Sequence, residues 1–173
     1  MLTDFISEFQ RYKSLGEKTL SQLPDDALNA VTGEGNNSIA VIVRHVGGNL
    51  VSRFTDFLTT DGEKPWRNRD AEFEDRHYTR AEIEEWWKRG FSVVLGELAK
   101  MSDADLGKTI TIRGHSYTAH DALCRSLAHT SYHVGQIVLL GRLALGEKWE
   151  SLTIPRGKSA EYNQNPTNEK GPR

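Results

Sequence analysis

Apolar residues recur at spacings of three and four through the start of the chain. Leu2, Phe5, Ile6, Phe9, Tyr12 and Leu15 alternate with Glu8, Arg11, Lys13 and Glu17. That is the period of a helix laying one apolar stripe on a core, and it predicts a first helix over about residues 2–22. Pro24-Asp25-Asp26 opens a turn, and Gly33-Glu34-Gly35-Asn36-Asn37 reads as a loop. Ser38 is a good N-cap for a second helix running from Ile39 to about Leu58 and ending before Asp61-Gly62. Its first two turns are apolar nearly all round, so this helix is expected to be the central, most buried one. Gly47 and Gly48 weaken it by roughly 1 kcal/mol each relative to alanine, which predicts a close approach there by another helix or a ligand, beside His45.

From Pro65 to Arg76 the chain is charged and has no convincing period, so it is read as a long connection. Thr79-Arg80-Ala81-Glu82 then forms a capping box and starts a third helix, whose core stripe is Ile83, Trp87, Phe91, Val94, Leu98 and Met101. Trp86 and Val93 fall off that stripe and are read as secondary core packing, with a pocket or subunit contact as the other reading. Thr109 to Tyr117 alternates and carries a glycine turn, the mark of a small hairpin or extended crossover. Thr118-Ala119-His120-Asp121 resembles a second capping box and opens a fourth helix over about 119–146, closed by Gly146. The expected fold is therefore all-α, a four-helix bundle with a short β-like connection before the last long helix. The bundle is assigned to residues 1–154, and the polar stretch 155–173 is read as a tail, mobile or draped on the surface.

Composition narrows the class. With 173 residues, 37% hydrophobic and 27% charged, the chain is expected to be one globular domain burying about two thirds of its unfolded surface. The single cysteine, Cys124, excludes an intrachain disulfide framework, and Met1-Leu2-Thr3-Asp4-Phe5 lacks the organisation of a secretory signal, so a cytoplasmic location is expected. No apolar run approaches the roughly 18–20 residues of a membrane span, and no membrane association is expected. Net charge is −2 with cations scattered among acids, which removes the electrostatic footprint that nucleic-acid binding requires.

The histidines carry the chemistry. His129 and His133 sit four apart in the apolar fourth helix, and His45 lies inside the apolar run Ile39 to Val46. Positions i and i+4 share one helix face, so two imidazoles can converge on one point, and a third from a neighbouring helix completes three facial ligands. Pairs at this spacing also occur as surface residues or hydrogen-bonded core residues. The apolar setting argues for a shared divalent ion, because each buried imidazole nitrogen without a partner costs roughly 1–3 kcal/mol. His77, His115 and His120 are read as surface residues, and Cys124 as a small core residue rather than a ligand. Asn49, four after His45, and Gln136, three after His133, are candidates to hold a bound water or substrate or to orient an imidazole; simple helix-face hydrogen bonding is the other reading.

Three neutral imidazoles leave a divalent ion its charge, so a coordinated thiol would be deprotonated and a coordinated water acidified from 15.7 towards about 7 to 9. The preferred chemistry is a thiolate attacking an electrophile. Hydrolysis by activated water comes second, and a non-catalytic metal- or ligand-binding bundle is the third reading. Imidazole suits zinc, nickel, copper and iron, with zinc or nickel the expected ion.

Val43-Arg44-His45-Val46-Gly47-Gly48-Asn49, the stretch Ser116-Tyr117-Thr118-Ala119-His120-Asp121-Ala122-Leu123, and His129-Thr130-Ser131-Tyr132-His133-Val134-Gly135-Gln136-Ile137 together resemble the DinB/YfiT-like superfamily over roughly residues 2–146. Residues 61–66 on to Glu74, with Ile154-Pro155-Arg156-Gly157-Lys158-Ser159, resemble an uncharacterised branch of it. The resemblance implies an up-down-down-up bundle, often a homodimer, with a divalent metal held by His45, His129 and His133. It further implies a small-molecule substrate, since characterised relatives include transferases and isomerases that use bacillithiol, mycothiol or glutathione. A thiol-dependent S-transferase with a low-molecular-weight thiol as cosubstrate is the expectation that follows.

Overall fold

The computed structural model describes residues 1–74 and 76–166. These form six α-helices: α1 (Leu2–Gln22), α2 (Asp25–Asn29), α3 (Ile39–Phe54), α4 (Arg80–Leu98), α5 (Ala119–Leu145) and α6 (Ser159–Gln164). A two-residue turn at Arg113-Gly114 joins the antiparallel strands β1 (Thr109–Ile112) and β2 (His115–Thr118), and β2 runs directly into α5. The fold is the expected all-α bundle with a short β connection. Its four long helices pack as a closed square in which α3 touches α4 and α5, and α1 touches α5 and α4. Helices α1 and α3 thus lie on a diagonal, and the chain crosses the bundle end between them.

The central helix is the one the apolar run marked. Ile39, Ala40, Val41, Ile42 and Val43 are all buried in succession, and Ser38 Oγ accepts from the Val41 N–H at 3.2 Å. Such a helix has no outward face to solvate, so it can sit only where other elements cover every side. It ends at Phe54, four residues before the expected Leu58. Thr55 is extended and Asp56 takes a left-handed φ of 50°, which turns the chain. Phe57 is nonetheless buried, its ring 5.0 Å from that of Phe54, so the apolar spacing continues past the end of the helix itself.

Two adjacent glycines set what lies against α3. A Cβ on Gly47 would fall 2.5 Å from the Trp86 carbonyl oxygen, and one on Gly90 would fall 2.8 Å from Gly47 Cα. The α3 and α4 backbones therefore cross in direct contact, the close approach that the glycines predict. On α4 the stripe Ile83, Trp87, Phe91, Val94 and Leu98 is fully buried, while Trp86 and Val93 are half-buried against the same core. The Thr79–Glu82 capping box is formed in both directions.

One expectation on α5 is overturned. Its buried positions are Ala119, Ala122, Leu123, Ser126, Thr130, Val134, Ile137 and Gly141, which leaves Cys124 on the outer side, exposed, with Sγ 3.8 Å from His120 Nε2. His77 and His115 are also exposed. The connection over residues 55–79 is locked to the hairpin by Asp61, whose carboxylate accepts from the backbone N–H groups of Glu63, Arg113 and Gly114 at 2.7 to 2.8 Å. Those backbone donors hold its pKa well below the usual carboxylate range. No helix among the described residues is long and apolar enough to cross a membrane. Beyond Pro155, α6 buries nothing, and residues 167–173 of the expected tail lie outside the described residues.

The glycines give a stability test. Gly47→Ala is expected to destabilise the protein by about 1–3 kcal/mol through overpacking against Trp86. Gly96→Ala, on α4 with nothing within 4 Å of the new methyl, is expected to stabilise it by about 0.5–1 kcal/mol. Thermal denaturation followed by circular dichroism reads both. Equal effects would show that the α3–α4 crossing tolerates a side chain.

Candidate metal centre

Helix packing brings three imidazoles together. His45 is 5% exposed on α3, and His129 and His133 are half-buried on the facing side of α5, one turn apart. Their ring centroids are 4.5 Å apart within α5 and 5.0 and 5.2 Å apart across to His45, all edge to face. Each offers a nitrogen, and these atoms all lie within 4.8 Å of one another. His45 Nε2 and His129 Nε2 are 3.2 Å apart. Two imidazole nitrogens bound to one tetrahedral ion at about 2.0–2.1 Å would be separated by about 3.3 Å, so this pair is already spaced as co-ligands are.

The outer nitrogens are held. Glu72, delivered by a short 3₁₀ turn at residues 70–73, places Oε2 2.9 Å from His45 Nδ1. The same carboxylate accepts from Arg67 at 2.8 and 2.9 Å through Nε and Nη2, a fork against both oxygens. Burial opposes ionisation of Glu72 more than any other single influence. The hydrogen bonds from His45 and Arg67 together outweigh it and hold the group below its ordinary value. An ionised carboxylate can only accept, so His45 Nδ1 carries the proton and Nε2 presents its lone pair to the shared point. His133 Nδ1 lies 2.8 Å from Gln136 Oε1, while Gln136 Nε2 donates to Tyr132 Oη at 3.1 Å. That orientation of the amide assigns the proton to His133 Nδ1 in the same way.

Burial is also the first cause of the low basicity of the α5 pair. It pushes His129 down to about 4, with the neighbouring His133, His45, Arg67 and Arg53 adding to the effect, and it lowers His133 as well. Neutral imidazoles are the form that binds metal, so the pocket disfavours the competing proton. Three neutral imidazoles are a donor set that could hold a divalent metal ion.

A cavity of about 180 Å³ opens beside His45 and His129, with Asn49, Phe54, Ile112 and Ser126 in its wall. Asn49 lies in the cavity lining. The group that bonds His45 Nδ1 is Glu72, itself held by Arg67, and sequence reasoning missed both because they lie in a stretch without period. The only local signal was Gly48, where a Cβ would fall 2.4 Å from Glu72 Oε1.

Residues 1–158 match a family described as "Protein of unknown function (DUF1572)", and the chain belongs to that family. In structure it is similar to a conserved protein of Enterococcus faecalis known from a crystal structure, with a TM-score of 0.64 and 15% identity over 84% of this chain and 98% of that one. At that identity the likeness is one of fold. No curated protein matches the chain.

Metal-stripped protein carries a direct test of the site's electrostatics. His129 is expected to remain neutral until about pH 4, read by NMR titration of its ring, where an exposed histidine titrates near 6.5. The sign for stability follows. Between about pH 6.5 and 4 the unfolded chain takes up a proton that native His129 refuses, so the apo protein loses stability as pH falls through that window. A midpoint near 6.5 would place the ring in solvent.

Proposed function

We propose that this chain is a metal-dependent enzyme of the DinB/YfiT-like superfamily in which His45, His129 and His133 hold one divalent ion, zinc or nickel. Its proposed activity is the transfer of a low-molecular-weight thiol to a small electrophile. The observation that carries the reading is the 3.2 Å approach of two buried Nε2 atoms whose rings come from different helices. Two neutral imidazoles can share one hydrogen at that distance, but three clustered rings, two of them with their outer nitrogens held by Glu72 and Gln136, have the organisation of a ligand set. An ion bound by neutral ligands keeps its full charge and supplies a thiol with a lowered pKa. The chain's own residues orient the rings, exclude the proton from them and leave an adjoining cavity for the reactants.

Occupancy tests the ligands. Alanine at any of the three histidines is expected to reduce bound zinc, measured by elemental analysis of protein purified without an affinity tag, from about one equivalent to near none. Glu72→Gln is expected to weaken binding about 10- to 100-fold while leaving the stoichiometry intact. Full occupancy in His45→Ala would remove α3 from the site. Cobalt-substituted protein is expected to change its visible spectrum on addition of glutathione or another small thiol at pH 7 to 8. A spectrum unmoved by thiols would argue for a closed, structural ion, and a response without turnover of any electrophile would favour a binding module.

A homodimer is proposed through the outer face of α5, where Tyr132, Leu139 and Leu143 are 57 to 63% exposed and fall at helical spacing. Leu139→Glu with Leu143→Glu is expected to yield monomer in analytical ultracentrifugation of a protein that otherwise sediments as a dimer. A monomeric wild-type chain would overturn this assignment.

A further inference from the structure

The cavity beside the histidines is lined by five arginines, Arg53, Arg67, Arg69, Arg113 and Arg125, and by no acidic side chain. Two carboxylates near it pair with some of them. Glu72 engages Arg67, and Glu63 is shared between Arg53 at 3.2 Å and Arg113 at 2.8 Å. Asp61 bonds backbone N–H groups at the hairpin turn and makes no side-chain ion pair with these arginines. Three of the five guanidiniums are thus paired with Glu63 or Glu72, and two are not.

Two of the five have no carboxylate partner among the described residues, and both are braced by aromatic rings. Arg69 stacks over Phe73 at 5.0 Å, and Phe73 itself packs against His45. Arg125 lies 5.6 Å over the Tyr117 ring and donates to its hydroxyl at 2.9 Å. Stacking fixes the plane of a guanidinium while leaving N–H groups available to an incoming anion. A second and independent observation points into the same space. Ser126 lines the cavity at 8% exposure, and its hydroxyl is buried with no hydrogen-bond partner. Buried polar atoms in native proteins are almost always paired, so an unpaired one in a cavity wall marks a place for a ligand group.

We propose that this cavity is a receptor for a small molecule carrying at least two negative charges, as carboxylates or a phosphate, held by Arg69 and Arg125 with the Ser126 hydroxyl and placed beside His45 and His129. As a statement about the substrate class of the enzyme it rests on the metal reading above, whereas the anion site itself depends only on the arginines. Bidentate guanidinium contacts match carboxylate and phosphate alike, and the excess of positive charge excludes cationic ligands. A single negative charge would leave one of the two unpaired guanidiniums without a counterion. The volume of about 180 Å³ suits a metabolite rather than a polymer.

The test is calorimetric titration of the full chain, zinc-loaded and metal-stripped, with inorganic phosphate, with succinate and with uncharged succinamide. Phosphate, succinate or both are expected to bind both forms of the protein, and succinamide neither. Binding of only one dianion identifies the ligand chemistry as phosphoryl or carboxylate. The double substitution Arg69→Gln with Arg125→Gln changes exposed side chains and is expected to weaken dianion binding by about tenfold or more with zinc content unchanged. Ser126→Ala is expected to weaken it by a smaller factor. Dianions that bind no more tightly than succinamide, or equally to the double variant, overturn the proposal. Dianion binding to a protein that takes up no zinc would instead overturn the metal reading and leave the anion site standing.

Discussion

Burying an imidazole in the most apolar helix of a bundle imposes the constraint on which the rest of the arrangement depends. His45 has two ring nitrogens, and each would cost roughly 1–3 kcal/mol if left without a partner. Nδ1 meets Glu72 and Nε2 faces His129. Glu72 is itself 6% exposed, and a lone carboxylate at that depth would protonate unless countered, which the Arg67 fork does. The sequence of contacts Arg67, Glu72, His45, His129 therefore draws the connection over residues 55–79 down on to α3 and draws α5 against its other side. Gly48 is the position that leaves room for this, since a side chain there would occupy the space of the Glu72 carboxylate.

Much of this was legible from residue spacing because helices convert spacing into direction. The stripe on α1, the all-round apolar start of α3, the Thr79 capping box and the pairing of His129 with His133 on one face all follow from a period near 3.6. What spacing could not reach were the elements without period. Glu72 and Arg67 lie on an irregular connection, where sequence distance says nothing about which helix they return to. The end of α3 was misplaced for a related reason, since Phe57 is buried by a turn and an apolar residue buried from a turn looks in sequence like one buried from a helix. Cys124 was read as a core residue because it lies well round the helix from His129, but that position also falls outside the buried stripe of α5.

The fold is shared with a chain only 15% identical, and the family to which the protein belongs carries no assigned activity. A helical bundle of this kind constrains chemistry very little, because function resides in the side chains that its helices point inward. Here those side chains divide into two neighbouring groups of opposite electronic character. His129 and His133 are lone-pair donors whose protonation burial disfavours, and the arginines beside them are permanent cations that line the same cavity. If the proposed metal and anion sites are both used, their adjacency would hold a reactant at one end while it is activated at the other.

Asp61 has a consequence for how such a site can change over evolutionary time. Its single carboxylate reads three backbone N–H groups, one in its own loop and two in the hairpin turn, while the Gly62 N–H donates to Thr111 across the same junction at 2.8 Å. Two loops far apart in the chain are thereby registered against each other at the level of the main chain. An insertion in one shifts its amides out of phase with the other, so the lengths of the two segments are expected to co-vary among homologues even where their side chains do not.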